Sequence, residues 1–149
     1  MVKENLNVLF VGMNPCPYSA KVGKYFALNK SFWYQLYEAG ILPKVIDSTQ
    51  ILNYNMGIMN LVDRPTSRAF QITEEEWQKG VERLKEIIDK YTPKYLCFIG
   101  KLPYVKYSGK IKFDYGWQDE KHFVMIFPTL RNVPKSVKIK ILKELKNKL

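Results

Sequence analysis

Histidine and cysteine are close to absent from this chain. His122 is the only histidine among 149 residues, which argues against both a zinc site and a Ser-His-Asp triad. The two cysteines, Cys16 and Cys97, lie far apart and form no Cys-x-x-Cys, so neither a disulfide framework nor a metal cluster is indicated. No metal and no cofactor are expected. Long apolar runs are missing too. No stretch approaches the ~20 residues of a membrane span, and the short apolar run near the N-terminus is interrupted by Gly12 and Asn14. The expectation is a cytoplasmic chain with no membrane partner, nucleoid-associated in a prokaryote or nuclear in a eukaryote.

Glycine-rich phosphate loops are also lacking. Gly23-Lys24 has the ending of a P-loop, but Tyr18 stands where the first glycine belongs and Tyr25 where Ser or Thr belongs. No Gly-x-Gly-x-x-Gly follows a strand-like segment, so an enzyme of nucleoside triphosphates is not expected. Acidic residues are in deficit: 14 Asp+Glu face 24 Lys+Arg, for a net charge of +10. A balance of this sign favours phosphate backbones, because each neutralised phosphate releases counterions. The competing explanation is a lysine-rich surface that serves solubility.

What is present is a folded chain. An apolar content of 46% with 14% aromatics excludes disorder, and 149 residues suit one domain over 1–149. Strand-like and helix-like segments alternate, which predicts a three-layer α/β/α sandwich around a short, mainly parallel sheet. Strands are expected at 6–12, at 95–99 closed by Gly100, and at 122–127 ended by Pro128. The apolar segment 57–62 stops before Pro65. Ser31 is placed to cap a helix that stops at Gly40, and 47–54 forms a short helical piece. Thr73 and Glu76 form a capping box for a helix that runs to Tyr91 with Trp77, Val81, Leu84, Ile87 and Ile88 at helical spacing. Residues 110–121 read as either a hairpin or a loose loop. Pro134 opens a final helix with Val137, Ile141, Leu142, Leu145 and Leu149 as its apolar stripe. Its opposite face carries Lys135, Lys138, Lys140, Lys143, Lys146 and Lys148, either as a solvated surface or as a phosphate-tracking one.

The stretch Val8 to Pro15 carries the most information. An apolar strand runs into Gly12, and Asn14 follows, held by Pro15. This puts an uncharged amide at the edge of the sheet where open α/β folds build their sites. Taken alone, Asn-Pro also marks an ordinary turn.

Gly12-Met13-Asn14-Pro15 is followed by Ser19-Ala20, Gly23, Phe26-Ala27 and Phe32-Trp33, and then by Asn60-Leu61-Val62-Asp63-Arg64-Pro65-Thr66. In this order and spacing the set resembles the mismatch-specific uracil and thymine DNA glycosylases of the uracil-DNA glycosylase superfamily. The likeness runs from about residue 6 to residue 128, with a one-residue contraction near Leu28 to Ser31.

The resemblance implies an enzyme that flips uracil, and more slowly thymine, out of mispairs with guanine. It would hydrolyse the N-glycosidic bond and leave an abasic site, acting as a monomer on double-stranded DNA. Asn14 would position the attacking water through its carbonyl oxygen. Phe26 would stack on the flipped base, and Asn60 would read its O4 and N3–H. Met13, Cys16 and Tyr18 complete the expected base pocket, the last two deciding whether a C5 methyl fits. Ser19, Lys21, Lys24, Leu130 and Arg131 are the expected DNA contacts. Asp63 and Arg64 match the family motif and are expected in internal salt bridges.

The chain departs from the family after its last strand. Phe127-Pro128-Thr129-Leu130-Arg131-Asn132-Val133-Pro134 replaces the family's Asn-Pro-Ser-Gly and wedge. Either Leu130 is the wedge and Arg131 a contact to the partner base or a phosphate, or the segment is a connector whose Leu and Val enter the core. Two cysteines exclude the cluster-bearing branch of the superfamily, which needs four. Two other classes compete: a nucleoside or nucleotide hydrolase, and a nucleic-acid-binding module without catalysis.

Overall fold

The computed structural model describes residues 1–149. Short runs of branched and aromatic residues pair side by side as β1 (Val8–Gly12), β2 (Met56–Asn60), β3 (Tyr95–Ile99) and β5 (His122–Met125), all parallel. A two-residue β4 (Gly116–Trp117) lies antiparallel on the outer side of β5, giving the order β2-β1-β3-β5-β4. The uncertain 110–121 segment therefore contributes an edge strand.

Parallel strands need cover on both faces, which explains why these runs are apolar without interruption. Along β1, Val8 and Phe10 face one core and Leu9 and Val11 the other. Cys97 and Ile99 alternate with Leu96 and Phe98 along β3 in the same way. The helices α2 (Ser31–Glu38) and α5 (Lys135–Lys146) cover the first face with Phe32, Trp33, Leu36, Leu142 and Leu145. On the second face, α3 (Glu74–Tyr91) and α4 (Lys101–Ser108) contribute Trp77, Leu84 and Tyr104. The architecture is the three-layer α/β/α sandwich with a mostly parallel sheet that the alternation predicts.

Thr73 and Glu76 form the expected capping box on α3. Four details differ from expectation. Ser31 is the first helical residue of α2 rather than its cap, and the side-chain oxygen of Asn29 takes the Ser31 N–H at 2.9 Å. The strand predicted at 122–127 ends at Met125, where the ladder stops. Two helices were not foreseen. One is α1 (Pro17–Val22), opened by Pro17 with Cys16 as its cap. The other, α4, begins directly after Gly100, whose φ of 91° suits glycine alone, and it accepts Pro103 because the first turn needs no N–H from that residue.

The fourth difference concerns α5. Val137 and Leu149 are exposed, whereas Lys138 is buried with only 6% of its surface accessible. The expected stripe is rotated, because Lys138 has acceptors inside the protein. Its Nζ donates to the carbonyls of Pro128 at 2.9 Å and Leu130 at 2.8 Å. This lysine belongs to neither a solvated face nor a phosphate track.

Candidate active site

The parallel strands end at one edge, and a cavity of about 570 Å³ opens there. Gly12, Met13 and Asn14 enter it from β1, Asn60 and Asp63 from β2, and Phe127 from beyond β5. Backbone pairing continues past the strands: Leu61 N–H donates to Gly12 O at 3.0 Å and Val62 N–H to Met13 O at 2.9 Å. Residues 61–66 are thereby drawn alongside Asn14.

The Asn14 amide is clamped. Its Nδ2 donates to the Arg64 carbonyl at 3.0 Å and to Thr66 Oγ1 at 2.8 Å. A carbonyl only accepts, and the Thr66 hydroxyl proton is already given to the Arg68 carbonyl at 3.0 Å. Both partners therefore require the NH2 group, so the orientation of the amide is unambiguous. Asn14 Oδ1 has no partner within the chain and is left as a fixed acceptor on the cavity.

Asn60 is the second amide. It is 92% covered, since 8% of its surface is accessible, yet its side chain makes no hydrogen bond within the protein. Its donor and acceptor keep access to the cavity rather than being sealed in. The side chain lies directly over Gly12, where a Cβ would come within 2.5 Å of Asn60 Oδ1. Its backbone is gripped from α3: Arg83 Nη2 donates to Asn60 O at 2.5 Å and Leu61 O at 3.3 Å, while Arg83 also pairs with Asp63. Gly80 lets α3 approach that closely, because a Cβ there would collide with the Leu61 carbonyl.

Phe26 forms another wall, with its ring stacked on Phe32 at 4.6 Å between centroids. Its φ of 51° is left-handed, a conformation that costs a non-glycine residue about 1 kcal/mol or more. Neighbouring bonds hold it there. Tyr25 N–H donates to Ser48 Oγ at 3.0 Å, Ala27 N–H to Ser19 Oγ at 3.1 Å, and Trp33 Nε1 to the Tyr25 carbonyl at 3.1 Å.

Cys16 lines the same cavity, with its sulfur within 3.4 Å of Ser19 Oγ and 3.5 Å of Ser19 N. Partial burial pushes its thiol up, but the hydrogen bonds from Ser19 and nearby backbone outweigh it and the pKa falls below the ordinary value. Met13 lies half-buried beside it.

One expected base-pocket residue is placed elsewhere, and one expected DNA contact has another role. Tyr18 does not line the cavity; as the second residue of α1 it turns into a separate cleft with Val22, Tyr25 and Trp33. Ser19 is 5% exposed and its hydroxyl is taken up by Ala27 and Cys16, so it braces the cavity wall instead of reaching DNA. Lys21 and Lys24 are exposed, and Lys24 is paired with Asp47 at 3.2 Å.

Leu130 and Arg131 are exposed on a loop that borders the cavity. Leu130 does not enter the core, contrary to the connector reading. Pro128 O accepts from both Gln35 Nε2, at 3.0 Å, and Lys138, and Leu130 N–H closes the turn onto Phe127 O at 3.0 Å. Asp63 and Arg64 are in internal salt bridges, with Arg83 and Glu76 respectively.

Sequence reading missed four residues that hold the site: Thr66, Arg83, Gln35 and Lys138. Thr66 stood inside a recognised motif with no role attached. The other three act from helices distant in the chain, and nothing in their local pattern marks them. The whole arrangement presents two amides and an aromatic ring to one cavity, with its pocket carboxylate, Asp63, already committed to Arg83. A comparison with protein families matches residues 1–146 to the model of the Uracil DNA glycosylase superfamily.

Proposed function

Because the chain belongs to the uracil DNA glycosylase superfamily, whose members hydrolyse N-glycosyl bonds in DNA, we propose that it is a mismatch-specific enzyme. It removes uracil opposite guanine first and thymine opposite guanine more slowly. The substrate is duplex DNA, approached by a monomer with a strongly basic surface.

The clamped Asn14 amide carries this reading. Breaking the bond makes the sugar cationic and the departing base anionic, so the water needs placement at C1′ more than deprotonation. A fixed carbonyl oxygen supplies such placement without ionising. An amide lacks the charge with which a carboxylate would stabilise the cationic sugar, and the enzyme is slow for that reason.

Asn60 supports uracil as the base. Its free donor and acceptor match O4 and N3–H, whereas cytosine presents the reversed pair. Phe26 supplies the stacking face. Cys16 supports some acceptance of thymine, because its side chain is small and is turned toward Ser19.

The test is release of base from one duplex carrying U·G, T·G, U·A or hypoxanthine·T, with Asn14→Ala in parallel. U·G is cleaved fastest and T·G measurably. Asn14→Ala retains less than about a tenth of the single-turnover rate. No release from either guanine mispair would defeat the proposal.

A further inference from the structure

Two loops border the cavity, Thr66 to Ala69 from one side of the sequence and Phe127 to Thr129 from the other. Each loop carries an exposed apolar side chain close to an exposed arginine: Leu130 with Arg131, and Phe70 with Arg68. Phe70 is 83% exposed. It belongs to neither hydrophobic core, and its ring packs against no other aromatic ring. Burial of a phenylalanine at this position contributes little to folding.

Its backbone is held firmly. Gln71 Oε1 accepts from Ser67 N–H at 3.1 Å and Arg68 N–H at 3.0 Å, while Gln71 O accepts from Arg64 Nη2 at 2.7 Å. On the other flank the Arg68 carbonyl takes the Thr66 hydroxyl. Residues 69–71 form a single 3₁₀ turn between these anchors. A ring on such a turn is presented outward from a fixed base beside the cavity mouth, so little backbone order would be lost on contact.

We infer that Phe70 is a DNA-stacking residue. Its ring lies against a nucleobase that borders the gap opened when the target nucleotide leaves the helix, and Arg68 meets a backbone phosphate beside it. An aromatic face suits any base, because every base offers a π surface, and apolar side chains intrude where stacking has been broken. The inference rests on the reading that the cavity receives a flipped base. It adds a second grip, from the loop that also carries Thr66.

The experiment uses duplexes with a tetrahydrofuran abasic analogue at the target position, so that binding does not depend on catalysis. 2-Aminopurine is placed in turn on either side of the analogue and opposite it. Wild-type protein changes the fluorescence at one of these positions at least. Phe70→Ala abolishes that change and weakens binding about tenfold, Phe70→Trp preserves both, and thermal melting of the free protein is unaltered because the side chain is exposed. The inference is overturned if Phe70→Ala matches wild type at every position, or if Phe70→Leu substitutes as well as Phe70→Trp. Should wild type release no base from any mispair while Phe70→Ala still loses the fluorescence change, the glycosylase reading fails and the stacking contact stands. Cleavage by wild type with an indifferent Phe70→Ala removes the stacking contact alone.

Discussion

Asn14 Nδ2 donates to Thr66 Oγ1 at 2.8 Å, across 52 positions of sequence. The bond joins the segments that follow two adjacent parallel strands and, together with the Arg64 carbonyl, decides which way the amide faces. Its consequence is kinetic more than energetic, because a rotated Asn14 would offer a water its NH2 in place of its oxygen.

Thr66→Val keeps the shape of the side chain and removes the acceptor. The expected result is a fall of about tenfold in single-turnover rate, corresponding to about 1.4 kcal/mol, with substrate affinity unchanged. Thr66→Ser should recover most of the loss. Equal losses in affinity and rate would show that Thr66 shapes the cavity and does not orient Asn14.

Gly12→Ala tests the second amide without touching it. The added Cβ meets the end of the Asn60 side chain, not backbone, so the fold tolerates it while the amide is displaced. Melting temperature should change little, whereas release of uracil falls more than tenfold and preference for uracil over other bases narrows. Retained selectivity would remove Asn60 from base reading.

Lys138→Met probes the loop that follows β5. Losing both bonds from Nζ leaves the Leu130 carbonyl without its donor and is expected to cost about 1 kcal/mol in denaturant unfolding. If Leu130 is the wedge, the greater effect should be on duplex substrate, because only a duplex leaves a gap for it to fill. Single-turnover rates on duplex and single-stranded uracil DNA decide the matter, and equal losses on the two would show that this loop has no wedge role.

Glu76 supplies a pH dependence. Its hydrogen bond with Arg64, with help from Thr73, holds the carboxyl at about 2, below the ordinary 4.5. A depressed carboxylate stabilises the folded state above about pH 4.5, and that contribution drains away as pH falls through about 2. Glu76→Gln should therefore melt lower than wild type at neutral pH, with the gap closing toward pH 2. A gap that does not vary with pH would assign the effect to packing.

The sheet was legible because parallel strands, buried on both faces, leave unbroken apolar runs such as Val8 to Val11 and Leu96 to Ile99. The capping box at Thr73 announced α3 for an equally local reason. By contrast α4 hides behind Pro103, a residue that reads as a breaker until Gly100 is seen to start the helix just before it. Lys138 shows the limit most plainly. Lysine spacing marks the outer face of a helix, and only the carbonyls of Pro128 and Leu130, brought near by the fold, turn one of those lysines inward. Within the candidate site, a pattern of motifs singles out Asn14, Phe26 and Asn60, which the fold brings to one cavity, whereas Arg83 is tied to Asn60 through backbone atoms that carry no residue identity. Tyr18 lies outside the cavity because a short helix begins at Pro17 and rotates it away from Cys16.

In the β1–β2 ladder Gly12 stands opposite Asn60, so everything between those two residues is an excursion that leaves one rung and returns to it. Lengthening such an excursion costs only ~0.6 kcal/mol for each doubling, but a slip of one residue in β2 would carry Asn60 to the other face of the sheet. Within that excursion the exposed loop at 28–30 can change length, as the contraction near Leu28 already illustrates, while the rung itself cannot move. Any library built on this scaffold has its safest insertions in that loop, outside the bonds that hold Phe26 and either amide.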